Sequence, residues 1–264
     1  MLFSIITICF NSEKTIERTI KSVLTQTFAD YEYIIVDGGS RDSTLDIVKK
    51  YEPLFEGRMK WKSESDRGIY DAMNKGIMRS SGTIIGIVNS DDWLDSEALD
   101  VVAHYYNKNH FDSRALYCGS INFYHKSNDI KLLSSNINAF YSNVKWRRVA
   151  GVRHPATFVP QKIYDEIGLF DTNFKIAADS DFLLRCYRNG YNFIEIPKAL
   201  SNMSDGGVSN SFNLKIFKQM LHDRTTILKN YGDTGISYLW QQITWYIRVL
   251  LKQLLISLKL YSVS

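Results

Sequence analysis

Three cysteines in 264 residues, Cys9, Cys118 and Cys186, are too few and too scattered to build a disulfide framework, and none has the spacing of a zinc site. A reducing compartment is the natural expectation, with all three thiols acting as small buried hydrophobes. No apolar run approaches the ~18 residues of a spanning helix. The N-terminal stretch MLFSIITICFNSEK lacks a basic segment before its apolar run and a small-residue cleavage site, so it reads as a buried strand rather than a secretory leader. Internal repeats and low-complexity tracts are absent. So is a basic body: the net charge is only +4, and from Asn210 onward seven Lys and Arg face just Asp223 and Asp233. The excess belongs to the tail, which argues against a nucleic-acid partner.

What is present is ordinary globular material, 45% hydrophobic and 23% charged. FSIITI (3–8) is an apolar β-branched run, followed by Asn11-Ser12 as a cap and by Ile16, Ile20, Val23 and Leu24 at helical spacing. The alternation returns with strands at 31–37, 59–64 and 83–88 and helices carrying Leu45 to Tyr51, Ile69 to Met78 and Ser96 to Tyr106. Four strand-helix units predict an α/β fold with a parallel sheet, right-handed crossovers and ligands beyond the carboxyl ends of the strands. Further on, 115–119 reads as a strand, the Ser/Asn-rich SSNINAFYSN (134–143) as a long loop, 161–167 and 179–188 as helices, and 192–197 as a strand.

Carboxylates recur just after the apolar strands: Asp37 after IIV, Asp66 after WKSES, and Asp91-Asp92 after IIGIVNS. Side chains at several strand ends of one parallel sheet converge on one rim, where bare carboxylates repel unless a cation or donor holds them. For Asp37 or Asp66 alone a turn or cap serves equally well. Two adjacent acids after a buried strand are a costly turn, and suit Mg2+ or Mn2+ completed by phosphate oxygens and water. The first strand-helix turn, ICFNSEKT, has no glycine, so it is not a GxGxxG cradle; a GxxxxGK[ST] loop is also missing.

FSIITICFN, VDGGSRDST, ESDRGIYDAMNKGI, IVNSDDWL, RHPATFVP, IAADSDFLLR and DGGVS stand in the order seen in bacterial family 2 glycosyltransferases of the GT-A fold. Over about residues 3–210 the chain resembles that family, especially enzymes building O-antigen, capsule and colanic-acid repeat units. The resemblance implies a GT-A, Rossmann-like, mostly parallel sheet flanked by helices, and an inverting, metal-dependent transfer from a nucleotide-sugar, such as a UDP-sugar, to a glycan hydroxyl. It implies that Asp37 holds the base or ribose, that Ile8 to Asn11 line the base, and that Asp66 and Arg67 close its other side. Asp92 would ligate the metal, with Asp91 nearer the ribose; Ser90 stands where a DXD motif has its first acid.

Asp179 stands where similar enzymes place the general base, with Asp181 as rival, and Ala178 replaces an acid common there. Both also suit an exposed helix N-terminus, which favours acids. His154 is implied at the diphosphate or acceptor, or is a structural histidine; Gly206 and Gly207 would approach an anion through their backbone, or form a turn. Two other classes remain open, a sugar nucleotidyltransferase and a non-catalytic carbohydrate-binding or assembly module.

Residues 211–264 read as a helical extension to a catalytic domain of 1–210. From 236 to 260, Ser237, Gln241, Thr244, Arg248, Lys252 and Lys259 form a narrow polar stripe, with Trp240, Trp245, Tyr238 and Tyr246 on the broad apolar remainder. Lying in a membrane interface suits this helix and its basic balance, with packing on the catalytic domain or on a second subunit as the alternative. A cytoplasmic enzyme, peripheral on the inner face of the plasma membrane and acting on a polyprenyl-diphosphate-linked acceptor, is the combined expectation.

Overall fold

Seven successive buried residues, Phe3–Cys9, form β1, and seven more, Tyr31–Asp37, form β2 beside it in parallel. Their alternation divides the interior into two cores. Ile6, Ile8, Ile34 and Val36 face one, and Phe3, Ile5, Tyr31, Tyr33 and Ile35 face the other. A strand buried on both sides requires helices above and below the sheet. On the second face these are α1 (Ile16–Leu24), α2 (Thr44–Tyr51) and α4 (Ala98–Lys108), and on the first α3 (Ile69–Arg79). The computed structural model describes residues 1–125, 129–144, 149, 151–204, 214–232, 240, 243, 244 and 247.

β3 (Met59–Ser63) and β4 (Ile84–Ile87) complete a parallel unit in the order β3-β2-β1-β4. Beyond it the sheet becomes mixed. β8 (Thr157–Pro160) runs antiparallel to β4, then come β6 (Ala115–Tyr124), β9 (Asn192–Ser204) and the two-residue β5 (Trp93–Leu94), while β7 (Ile130–Leu133) forms a hairpin on β6. β9 is twice as long as the sequence pattern suggests, because after a register irregularity it continues along β6 and pairs Asn202 with Trp93. That pairing fixes the segment just after Asp91-Asp92.

The expected loop 134–143 is largely a helix, α5 (Ile137–Val144). Asn136 supplies its cap, its Oδ1 accepting the Ala139 N–H at 2.8 Å, and Ile137, Phe140 and Val144 are buried at helical spacing. Of the Ser and Asn residues that suggested a loop, Ser134, Ser135 and Asn136 precede the helix, and Asn138, Ser142 and Asn143 lie on its more exposed side. With α6 (Gln161–Ile167) and α7 (Ala178–Arg188), α5 covers the first core.

The last described helix is α8 (Leu214–Asn230), whose Asp223, Ile227 and Leu228 are buried. The expected boundary at 210/211 lies outside the described residues. So does most of 236–260, although Trp240, Ile243 and Ile247 are described and exposed. Among the described residues no helix is long and apolar enough to cross a membrane.

Candidate active site

The ends of β1 and β2 meet where the Gly38 N–H donates to the Cys9 carbonyl at 2.8 Å. Asp37 is fully buried there and heavily solvated by protein: the Gly39 and Ser40 N–H groups lie at 3.0 and 2.9 Å, the Ser63 hydroxyl at 2.6 Å, and the Ser40 hydroxyl also donates. Burial works against its charge, but these donors hold the carboxyl below the ordinary range. Cys9 is buried with its Sγ 3.6 Å from Asp37, and burial together with that anion keeps it a thiol. Asn11 adopts φ 49° and ties the turn, its N–H donating to Ser40 Oγ at 2.8 Å and its Oδ1 accepting the Arg41 N–H at 2.9 Å. Ile8 is buried beneath.

Asp66 faces this turn. A Cβ placed on Gly38 would stand 2.5 Å from its Oδ2, so a larger residue there would displace the Asp66 carboxylate. Asp66 Oδ1 accepts the Gly68 N–H at 2.8 Å. Arg67 is exposed and committed elsewhere, donating to Asp71 at 3.1 Å. Phe10, 60% exposed beside Gly38, offers an aromatic face in the stretch Ile8 to Asn11, where the resemblance implied backbone contacts alone. An exposed Phe directly after a buried strand was the available signal.

Asp92 is 2% exposed. Burial first, and repulsion from Asp91 second, push its carboxyl up to about 8 against the opposing effects of Asn89 and Arg18. Asn89 Nδ2 donates to Asp92 at 3.2 Å, while Asn89 Oδ1 is buried without a hydrogen-bond partner. An orphaned amide oxygen beside an under-compensated carboxylate is hard-donor chemistry, which fits a divalent cation. Among the described residues no three His, Cys, Asp or Glu gather as a metal cluster, so the fit is to a site largely completed by ligand oxygens and water. Ser12 and Ser90 are hydrogen-bonded through their hydroxyls at 2.8 Å, joining this segment to the β1 turn. Arg18 stacks 3.6 Å over Trp93 and donates to the Asp91 carbonyl at 2.7 Å and to Ser204 Oγ at 3.4 Å.

The two acids of α7 have different partners. Asp181 is buried and paired, receiving Arg185 Nε at 2.8 Å, and the same guanidinium donates to the carbonyls of Ile167, Gly168 and Leu169. Its i,i+4 spacing to Arg185 was legible in the sequence. Asp179 is half-buried, its Oδ1 accepting its neighbour's Ser180 N–H at 2.8 Å and facing the Tyr70 hydroxyl at 3.3 Å. Burial and the Asp179 charge push Tyr70 far up, so it stays a donor. His154 lies within electrostatic reach of Asp179, edge-on to Phe170 at 5.5 Å, and burial drives it towards the neutral imidazole although Asp179 opposes. Arg153 has a buried Nε without a hydrogen-bond partner. Gly206 and Gly207 lie outside the described residues.

Asp37, Asp66, Asp91 and Asp92 thus occupy the carboxyl rim of the parallel unit, and Tyr70 brings Asp179 to the start of α3, just after Asp66. The family described as glycosyl transferase family 2 matches residues 4–168. A PGL/p-HBAD biosynthesis glycosyltransferase of Mycobacterium tuberculosis is 30% identical over 228 residues, covering 83% of this chain and 84% of its own length. The poly(ribitol-phosphate) beta-N-acetylglucosaminyltransferase TarS of Staphylococcus aureus is 26% identical over 72% of this chain and 33% of the relative. Among solved structures, TarS 1-349 in complex with UDP-GlcNAc superimposes with a TM-score of 0.66 at 21% identity, covering 86% of this chain and 67% of that one. A mannosyltransferase from Pyrobaculum calidifontis, in complex with GDP-Man and Mn2+, gives 0.61 at 16% identity over 88% and 64%.

Proposed function

Because the chain belongs to glycosyl transferase family 2, we propose that it moves one sugar from a nucleoside-diphosphate sugar to a hydroxyl of a lipid-linked glycan, with inversion at the anomeric carbon. The observation that carries this reading is the difference between the acids of α7: Asp181 is consumed by Arg185, whereas Asp179 stays half-exposed beside a protonated tyrosine.

Asp37, ionised, buried and satisfied by protein donors, would serve the base or ribose by holding the Gly38 to Ser40 turn that lines it, and Phe10 lies alongside as an apolar face. Asp66, held by the Gly68 N–H, closes the opposite wall. Asp92, with Asp91 and Asn89 Oδ1 beside it, would hold Mg2+ or Mn2+, which when bound neutralises charge on the departing diphosphate. Asp179 accepts the proton of the acceptor hydroxyl as its oxygen bonds to the anomeric carbon; the bond from that carbon to the diphosphate oxygen breaks, and the nucleoside diphosphate leaves with the electron pair. Tyr70, whose hydroxyl donates to the Ile176 carbonyl at 2.6 Å, stands 3.3 Å from Asp179 Oδ1 and confines that carboxylate. One displacement suffices, so no covalent nucleophile is required.

The acceptor assignment draws on the relatives. TarS is named for a poly(ribitol-phosphate) acceptor and the mycobacterial enzyme for PGL/p-HBAD biosynthesis. For this chain we infer a polyprenyl-diphosphate-linked glycan of surface-polysaccharide synthesis, at the cytoplasmic face of the plasma membrane. The exposed Trp240, Ile243 and Ile247 at helical spacing and the basic tail support docking there.

A panel of UDP-, GDP- and dTDP-sugars with Mn2+ or Mg2+, read as nucleoside-diphosphate release, tests the reading. Asp179→Asn is expected to lower turnover by about 10²–10⁴-fold with donor affinity little changed. Greater damage to turnover from Asp181→Asn, at equal folded fraction, refutes the assignment.

A further inference from the structure

Asp223 lies on α8, outside every sequence motif considered above, and its side chain is fully buried. Its Oδ2 accepts three successive backbone N–H groups, from Lys175 at 2.9 Å, Ile176 at 2.8 Å and Ala177 at 3.1 Å. Its Oδ1 accepts Gln219 Nε2, one turn earlier on α8, at 2.8 Å. Three converging amides form a cradle for an anion, and here a carboxylate from 46–48 residues later fills it.

The cradled peptides lead directly into α7. Ala177 is the N-cap residue of that helix and has no side-chain acceptor; Asp223 satisfies the Ala177 N–H itself and the two amides before it, anchoring the chain as it enters α7. On the opposite side, the Ile176 carbonyl accepts the Tyr70 hydroxyl at 2.6 Å, and the same hydroxyl lies 3.3 Å from Asp179 Oδ1. The segment is therefore gripped from two directions, by α8 through its N–H groups and by α3 through a carbonyl. Tyr231, just after α8, adds a second tie, its hydroxyl donating to the Asp181 carbonyl at 3.3 Å.

We propose that Asp223 is a positioning residue for the general base: by fixing the backbone of 175–177 it sets where Tyr70 and Asp179 meet. This rests on the assignment of Asp179 as base. Asp223 touches no substrate and acts through the peptide. A misplacement of about 1 Å at a reacting group costs on the order of 10²-fold in rate, so loosening this segment is felt in turnover and not in donor binding.

The test uses the full chain and the most rapidly turned-over sugar of the UDP-, GDP- and dTDP-sugar panel, with nucleoside-diphosphate release measured well below the melting temperature and water standing in for the acceptor hydroxyl. Asp223→Asn keeps shape and one acceptor oxygen, so it folds even where Asp223→Ala, which strands three buried N–H groups, does not. In Asp223→Asn, kcat falls about tenfold while calorimetric affinity for the same donor stays within about twofold. The loss disappears in an Asp179→Asn background, because Asp223 then has no base to position. Unchanged kcat in Asp223→Asn, or a further tenfold loss on top of Asp179→Asn, overturns the proposal and leaves the base assignment standing. Undiminished turnover in Asp179→Asn itself removes the base and this inference together.

Discussion

Asp92→Asn should make the metal-free protein more stable and inactive at once. Burial and Asp91 raise the Asp92 carboxyl from an ordinary 3.8 to about 8. Between those values the folded chain holds a proton that the unfolded chain has released, so stability is at its full value below about pH 4 and drains away as pH rises towards 8. At about 1.36 kcal/mol per unit, the penalty at pH 7 reaches roughly 4 kcal/mol, a ceiling that water entering the site would reduce. Asparagine carries no such proton. Its advantage over the parent is therefore near zero at pH 4 and largest at pH 7–8, where 4 kcal/mol corresponds to a Tm difference on the order of 10 °C. Thermal melts in EDTA from pH 4 to pH 8 measure it. Millimolar Mn2+ at pH 8 should then raise the Tm of the parent and leave that of the variant unmoved. Parallel Tm-against-pH curves for the two proteins in EDTA, or a variant less stable at pH 8, would refute the electrostatic reasoning.

Gly38→Ala puts a methyl group onto Asp66 Oδ2 and displaces it, so donor KM should rise roughly tenfold with kcat little changed; an unaltered KM removes Asp66 from the donor wall. Asp181→Asn breaks a largely buried ion pair with Arg185, and is expected to lower Tm while leaving kcat per folded molecule near that of the parent. Truncation after Asp233 should abolish co-sedimentation with anionic liposomes at low salt. Equal pelleting of truncated and full-length chains, or pelleting of neither, would assign the 236–260 face to protein contacts instead.

The parallel half of the fold was legible because β1, β2 and β4 each carry a β-branched run and every one of its strands is followed by a helical repeat; β3, MKWKS, shows only period-two alternation. α5 was hidden because its apolar residues, Ile137, Phe140 and Val144, are spaced among Ser and Asn, and only the core beneath gives that spacing its value. The acids at the strand ends could be located from sequence, but their states could not. Asp37 is kept ionised by hydroxyl and amide donors of Gly39, Ser40 and Ser63, and Asp92 is pushed towards neutrality by burial and by Asp91, against the single amide of Asn89 and the charge of Arg18. Asp223 left no trace at all. It occupies an ordinary-looking helix, and apart from Gln219 one turn earlier its partners are backbone amides, which carry no side-chain signature.

The cradle filled by Asp223 also gives the protein an order of assembly. During synthesis the strands and helices up to α7 emerge first, and the amides of 175–177 have no anion to bind until a residue 46–48 positions later leaves the ribosome. At 5–20 residues per second that is a delay of about 2–10 s. Throughout it, the rim of β1, β2 and β4 proposed to hold the donor can already be formed while the loop preceding Asp179 lacks its anchor. A nascent chain would then bind a nucleotide before it could spend one, and competence to react would come last.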